Sequence, residues 1–257
     1  MSNSNKIAVV TGSSRGLGKS TALNLAKKGV DAIVTYHSNA EEAAKVVAQI
    51  ESLGAKAIAL QLDTANTKTF DDFAVQVKHS LQAKWQIDRF DFLINNAGTG
   101  AYSSFMDTTE ADFDQLLNIH VKGVFFLTQK LLPLINDGGR IVNLSTGLTR
   151  IILPGYAAYA SMKGAIETLS LYMAKELGAR KIAVNVVAPG AIETDFGGGA
   201  VRDNSELNQY LAAQTALGRV GLPDDIGGAI ASLLSEDNKW VNAQRIEVSG
   251  GQSISKN

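Results

Sequence analysis

Lys6-Ile7-Ala8-Val9-Val10-Thr11-Gly12-Ser13-Ser14-Arg15-Gly16-Leu17-Gly18, followed by helical patterning from Lys19 to Lys28, is the stretch whose reading decides the fold. The short apolar run reads as a buried strand, the glycines as a turn and the periodic stretch as a helix. Gly12 permits the tight turn, Gly16 lets the backbone approach a pyrophosphate, and Gly18 lets helix and strand pack closely. The first N–H groups of the helix then face the phosphates. The spacing is G-x-x-x-G-x-G rather than G-x-G-x-x-G, and it predicts a dinucleotide site.

Two further apolar runs end in small residues. Phe92-Leu93-Ile94 leads into Asn95-Asn96-Ala97-Gly98, and Ile182 to Val187 leads into Ala188-Pro189-Gly190. Small residues at the carboxyl ends of parallel strands leave room for a ligand in the crevice there. Along the whole chain strands near 6–10, 31–36, 56–61, 91–95, 140–145, 182–188 and 244–248 alternate with helices near 17–28, 40–53, 67–83, 110–136, 156–178, 205–214 and 224–235. This alternation predicts an α/β fold, a single Rossmann-type doubly wound domain with a seven-stranded parallel sheet and helices on both faces. Within the helix near 156–178, Tyr159 and Lys163 are spaced i, i+4, which puts phenol and ammonium on one face. A fixed positive charge beside a phenol favours the phenolate and brings its pKa towards neutrality, so this tyrosine is read as a proton donor and acceptor.

Composition narrows the function classes. The chain has 257 residues, four prolines, no cysteines and three histidines, which excludes disulfides and thiolate metal sites and predicts no metal. Lys+Arg number 24 against 25 Asp+Glu, interspersed, so no basic stripe exists for nucleic acid or anionic lipid. No apolar run approaches the ~20 residues that span a bilayer, and the polar, flexible N-terminus 1–5 has no signal-like core, so a cytoplasmic protein is expected. The residues near 83–89 suggest no function.

Taken in order, the TGxxxGxG turn, Asp63 after the third strand, NNAG, YxxxK, PG and Thr194 make the chain from Lys6 to Gly251 resemble the short-chain dehydrogenase/reductase family. The resemblance implies hydride transfer between a nicotinamide and a carbonyl carbon, with Tyr159 delivering the proton and Lys163 binding the nicotinamide ribose. It implies cofactor contacts from Gly12, Ser14, Arg15, Gly16, Leu17, Gly18, Asn95, Ala97, Gly98, Ser145, Tyr159, Lys163, Pro189, Gly190, Ile192 and Thr194. Asp63 is expected on the adenine, although it could equally cap the helix near Asn66. The second strand ends in His37-Ser38-Asn39 without an acidic residue for a ribose 2′-hydroxyl, and Asp31 stands at its wrong end. Arg15, His37 and Ser38 therefore form an expected 2′-phosphate pocket, favouring NADP(H) over NAD(H).

Two positions depart from the family. At the end of the Arg140 to Thr146 run, register puts Thr146 where a serine usually bonds the substrate carbonyl, with Ser145 as its neighbour. Successive strand residues face opposite ways, so only one of the pair points at substrate. Aligning Val121-Lys122-Gly123-Val124-Phe125 puts His120 at the position of the family's water-holding asparagine.

Gly147, Leu148, Leu153, Tyr156, Ile192, Phe196 and Val201 form the expected apolar pocket, with Gly197-Gly198-Gly199 in a mobile loop inside a substrate-binding region 191–215. The fitting substrate is an apolar or aromatic ketone. A 3-oxoacyl carrier-protein reductase and a non-catalytic nucleotide sensor are the alternatives; an acidic carrier would need basic docking charge. The helices near 110–136 and 156–178 are apolar on more than one side and the last strand lies at a sheet edge, which predicts a D₂ homotetramer. Ser249 and Asn242-Ala243 depart from the family near that edge.

Overall fold

The computed structural model describes residues 5–254. Seven strands form a parallel sheet, the central ones largely apolar and buried on both faces. They are β1 (Ile7–Val10), β2 (Asp31–Tyr36), β3 (Ala57–Gln61), β4 (Phe90–Asn95), β5 (Ile135–Leu144), β6 (Ala183–Pro189) and β7 (Arg245–Val248). The order is β3-β2-β1-β4-β5-β6-β7, and every pairing is parallel. The chain builds outward from β1 to β3, then returns to the other side of β1 for β4. A crevice opens where that reversal separates the strand ends, and the glycine turn lies in it.

Alternate strand residues feed two cores. Ala8 and Val10 pack with α1 (Gly16–Ala26), α2 (Ala40–Ser52) and α9 (Pro223–Leu233) on one face. Ile7 and Val9 pack on the other with α3 (Phe70–Trp85), α5 (Gly123–Leu131) and α6 (Ala157–Glu176). The seven-stranded doubly wound sheet is as the sequence predicts. The single helix expected over 110–136 is instead α4 (Glu110–Leu117), a π-helical turn (Asn118–Lys122), α5 and a short 3₁₀ turn (Leu132–Leu134). Pro133, which donates no N–H, closes the helical run, and β5 starts at Ile135.

The segment near 83–89 has a structural explanation. Trp85 Nε1 donates to Oδ2 of buried Asp31 at 2.7 Å, and Gln86 ends α3 in the left-handed region at φ 61°. Of the N-terminus 1–5, residues 1–4 lie outside the described residues, and Asn5 donates to Asp31 at 3.2 Å. The region 191–215 contains a 3₁₀ turn at Phe196–Gly199, α7 (Ala200–Asp203) and α8 (Ser205–Ala213). Among the described residues no helix is long and apolar enough to cross a membrane.

Candidate active site

The carboxyl ends of β1, β4, β5 and β6 converge on the glycine turn. Gly12 has φ +62°, and a Cβ there would lie 2.9 Å from the Ala97 Cα, so only glycine lets these two backbones meet. Thr11 Oγ1 accepts from the N–H groups of Asn96 and Ala97, both at 2.9 Å, while Asn96 Nδ2 donates to the Thr11 carbonyl at 2.8 Å. Thr194 lies beside Gly16, which brings the loop after β6 over the same turn. Gly190 hydrogen-bonds the end of β7, and Ile192 bridges to Gly221, holding that loop open above Pro189.

Asn95 and Asn96 divide the work differently from the expectation. The buried Asn95 amide donates to Thr128 Oγ1 at 3.0 Å and Asn143 Oδ1 at 2.8 Å, so its side chain is committed inside the sheet and only its backbone faces the crevice. The Ser145 side chain is committed as well. Its Oγ donates to Glu167 Oε1 at 2.6 Å, away from Tyr159. Thr146 is the residue turned the other way, as alternation along an extended strand requires. Its hydroxyl lies on the Tyr159 side, near enough to favour the phenolate, and its Oγ1 accepts from the Leu148 N–H at 3.3 Å. Thr146 thus caps the short turn Gly147–Thr149.

Tyr159 and Lys163 sit on the buried face of α6, Lys163 Nζ donating to the Leu144 carbonyl at 2.8 Å and lying 5.8 Å from the Tyr159 ring centroid. Burial pushes the phenol above its ordinary value, and the neighbouring Thr146 hydroxyl offsets this only in part. The expected lowering by the Lys163 charge is not what this arrangement produces: loss of solvent dominates, and the one lowering influence is Thr146 rather than Lys163. Burial likewise brings Lys163 down to about 8. The phenol is therefore held protonated in the free site.

The π-helical turn directs His120 inwards. Its Nε2 meets the Thr99 carbonyl at 2.8 Å, its Nδ1 is buried without a partner, and its ring stands edge-on to Tyr159 at 5.3 Å. Burial, then the Lys163 charge, lowers it to about 3, so the ring is neutral. A Cβ at Gly98 would stand 2.7 Å from His120 Cε1, which couples this glycine to the histidine.

Aromatic rings wall the opening. Phe196 lies 5.6 Å from Tyr159 and against Gly100, and Tyr102 meets Tyr156 edge-on at 5.4 Å. Leu148 and Tyr156 pack on the Tyr159 cluster, whereas Leu153 is exposed and Val201 only partly buried. Sequence reasoning missed Tyr102, Thr99 and the roles of Thr11 and Asn96. Thr11 and Asn96 lay within motifs already singled out.

At the far end of the crevice Arg15, His37 and Ser38 are exposed. His37 Nε2 stands 3.9 Å from Asp63 Oδ2, and Asp63 Oδ1 accepts from the Ala65 N–H at 2.9 Å, turning the chain after β3. Asn66, not Asp63, caps the following 3₁₀ turn. No group of three or more His, Cys, Asp or Glu placed to hold a metal occurs among the described residues.

Residues 12–253 match a protein-family model described as enoyl-(acyl carrier protein) reductase. An uncharacterized oxidoreductase of Methylorubrum extorquens is 40% identical over 247 residues, 96% of this chain and 97% of its own. A probable tetrahydroxynaphthalene reductase of Zymoseptoria tritici is 35% identical over 260 residues, 95% of this chain and 93% of its own. The crystal structure of the angucycline C-6 ketoreductase LanV with bound NADP is similar at a TM-score of 0.93, with 34% identity and 98% of each chain covered.

Proposed function

Since the chain belongs to the short-chain dehydrogenase/reductase family of oxidoreductases, we propose that it is an NADPH-dependent carbonyl reductase for flat, aromatic ketones. One observation carries this reading: the Thr146 hydroxyl is placed beside the buried Tyr159 phenol, at an opening bordered by the rings of Phe196, Tyr102 and Tyr156.

A dinucleotide fits the crevice, because the Gly12 turn is a cradle that any side chain would fill. Ser14, Gly16, Leu17 and Gly18 would hold the pyrophosphate, Arg15, His37 and Ser38 the 2′-phosphate, and Asp63 the adenine. The backbone of Asn95, Ala97, Gly98, Ser145, Pro189 and Gly190, with Ile192 and Thr194, would line the remainder. Arg15 forms no ion pair among the described residues, and Asp31 is committed at the opposite end of β2, while Asp63 stands beside His37. When bound, NADPH supplies the hydride.

Thr146 and Tyr159 orient the carbonyl oxygen between two hydroxyl donors. As charge develops on that oxygen, both donors stabilise it, and Tyr159, held protonated by burial, gives up its proton. Lys163 keeps a positive charge within reach of the resulting phenolate and binds the nicotinamide ribose. His120 presents an unpartnered Nδ1 lone pair on the same buried side, where it would hold a water. Leu148, Gly147, Leu153, Tyr156, Phe196 and Val201 would line the site and pack on an apolar ring once it is bound.

The arginines on the nearby loops are already paired, Arg150 with Glu247 at 3.7 Å and Arg202 with Asp195 and Asp203. That disfavours docking of an acidic carrier protein. The reading also includes a cytoplasmic homotetramer, supported by Phe125 and Phe126 on α5 and Leu171 and Tyr172 on α6, all exposed; light scattering should give the mass of four chains, and a monomer at micromolar concentration rejects it. NADPH oxidation measured over aryl ketones, 3-oxoesters and acyl thioesters tests the substrate. Turnover should be best with aryl ketones, and turnover of thioesters alone would sink the reading.

A further inference from the structure

Behind the Tyr159–Thr146 pair lies a polar cluster that the chemistry above does not use. Arg245 opens the edge strand β7, and its guanidinium reaches under the end of β5. Nε donates to Glu167 Oε1 at 2.7 Å, Nη1 to Glu247 Oε2 at 3.0 Å, and Nη2 to both the Thr146 carbonyl at 3.1 Å and Thr149 Oγ1 at 3.0 Å. Glu167 stands one turn beyond Lys163 on α6, and its Oε1 also accepts from Ser145 Oγ at 2.6 Å and Thr149 Oγ1 at 2.9 Å. The Arg245 and Glu167 side chains are 10% and 22% exposed, so water screens the pair only weakly.

Location gives this cluster its meaning. The Ser145 N–H makes the last sheet-like bond to β6, to the Val187 carbonyl at 2.8 Å, and Thr146 lies one residue past it. There the Thr146 carbonyl accepts from Arg245 Nη2 instead. Glue of this kind joins three elements at once: the end of β5, the helix carrying Tyr159 and Lys163, and the edge strand. We propose that Arg245 and Glu167 are positioning residues that fix the Thr146 hydroxyl against Tyr159, a role resting on the reading of Thr146 as an oxyanion donor.

Lys163 Nζ donates to the Leu144 carbonyl, whereas the Arg245 guanidinium is shared among Glu167, Glu247, Thr146 and Thr149. Burial raises the Glu167 carboxyl, but hydrogen bonds from Ser145, Arg245 and Thr149 outweigh it and keep it ionised at neutral pH. Lysine could replace the charge of Arg245 but not its fork, which spans carboxylate and carbonyl together.

The test is a double-mutant cycle on the full-length chain. Arg245→Met, Arg245→Lys and Glu167→Gln are each made with Thr146 intact and with Thr146→Val, and kcat, the ketone KM, NADPH affinity and the pH profile are measured. Arg245→Met should lower kcat on the order of 10–100-fold, the scale of a small misplacement of a reacting group, with KM, NADPH affinity and the alkaline limb unchanged. Arg245→Lys should recover part of the loss. Within the Thr146→Val background Arg245→Met should change kcat by less than about twofold, since coupled residues are not additive. A wild-type kcat for Arg245→Met, or the same loss in both backgrounds, overturns the proposal. Should Arg245→Met not fold, Glu167→Gln must show the same coupling, and its absence overturns the proposal equally. A wild-type kcat for Thr146→Val alone would remove the oxyanion reading and the positioning role together, whereas a crippled Thr146→Val beside an intact Arg245→Met removes the positioning role only.

Discussion

At the amino-terminal edge of the sheet Asp31 and Asp91 are 2% and 6% exposed; at the carboxyl edge His120, Tyr159 and Lys163 are 1%, 6% and 5% exposed. Depth does not separate the two edges, but hydrogen-bond bookkeeping does. Asp91 accepts from Lys6 Nζ, the Ile7 N–H and Asn136 Nδ2, and Asp31 from Asn5, the Lys56 N–H and Trp85. Each of these carboxylates accepts three hydrogen bonds, with both oxygens engaged. At the other edge His120 Nδ1 has no partner, and Lys163 makes a single bond of the three an ammonium offers. Buried groups with every partner in place stabilise a fold, and buried groups with capacity left over are available to a ligand.

Breaking the comparison at its reactive side should give the largest effect. Tyr159→Phe should lose turnover by roughly 10²–10⁴-fold while folding and binding NADPH normally; near-normal kcat in the folded variant would refute the assignment. Next comes Thr146→Val, expected to cost about 2–4 kcal/mol of transition-state stabilisation, against much less for Ser145→Ala, whose hydroxyl serves Glu167. Reversed ranking in kcat/KM would mean that Ser145 faces the substrate.

At the amino-terminal edge the outcome should invert. Asp91→Ala should reduce stability by about 2–3 kcal/mol in denaturant melts, because it strands the Ile7 N–H, yet leave kcat near wild type. A kinetic defect without a stability defect would erase the distinction between the edges. His120 sharpens it through pH. Its folded pKa of about 3 lies below the usual 6.5, so only the unfolded chain takes up a proton between these values. Stability should therefore fall as pH drops from 6.5 towards 3 and show no contribution from this group above 6.5. His120→Asn should flatten that acid limb in thermal melts; an unchanged limb would place the titration elsewhere. The smallest effect is expected at the exposed rim, where Arg15→Ala should reduce the preference for NADPH over NADH by roughly tenfold in kcat/KM. Equal use of both cofactors by the wild type would dismiss the phosphate pocket.

Much of this was legible before any coordinates. The sheet could be read because β1, β2, β4 and β6 are largely apolar runs and the turns after β1, β4 and β6 carry glycine or proline, both local properties. Tyr159 and Lys163 could be paired because helical spacing alone fixes their common face. The break in the helix over 110–136 was not legible, since a π-helical turn depends on what the turn packs against rather than on propensity. Nor was the latch between Trp85 and Asp31, whose partners are 54 residues apart.

The amino-acid sequence by itself determined the parallel sheet, the dinucleotide turn and the identity of the tyrosine and lysine, because periodicity and short spacings encode them. Tertiary structure decided which polar group is spent and which is left free. It set Asn95 within the sheet and Asn96 on the turn, committed Ser145 to Glu167, released Thr146 towards Tyr159, and raised the phenol that the neighbouring ammonium was expected to lower. Each of those outcomes depends on burial and on partners distant in the chain, and neither quantity exists until the strands and helices have packed.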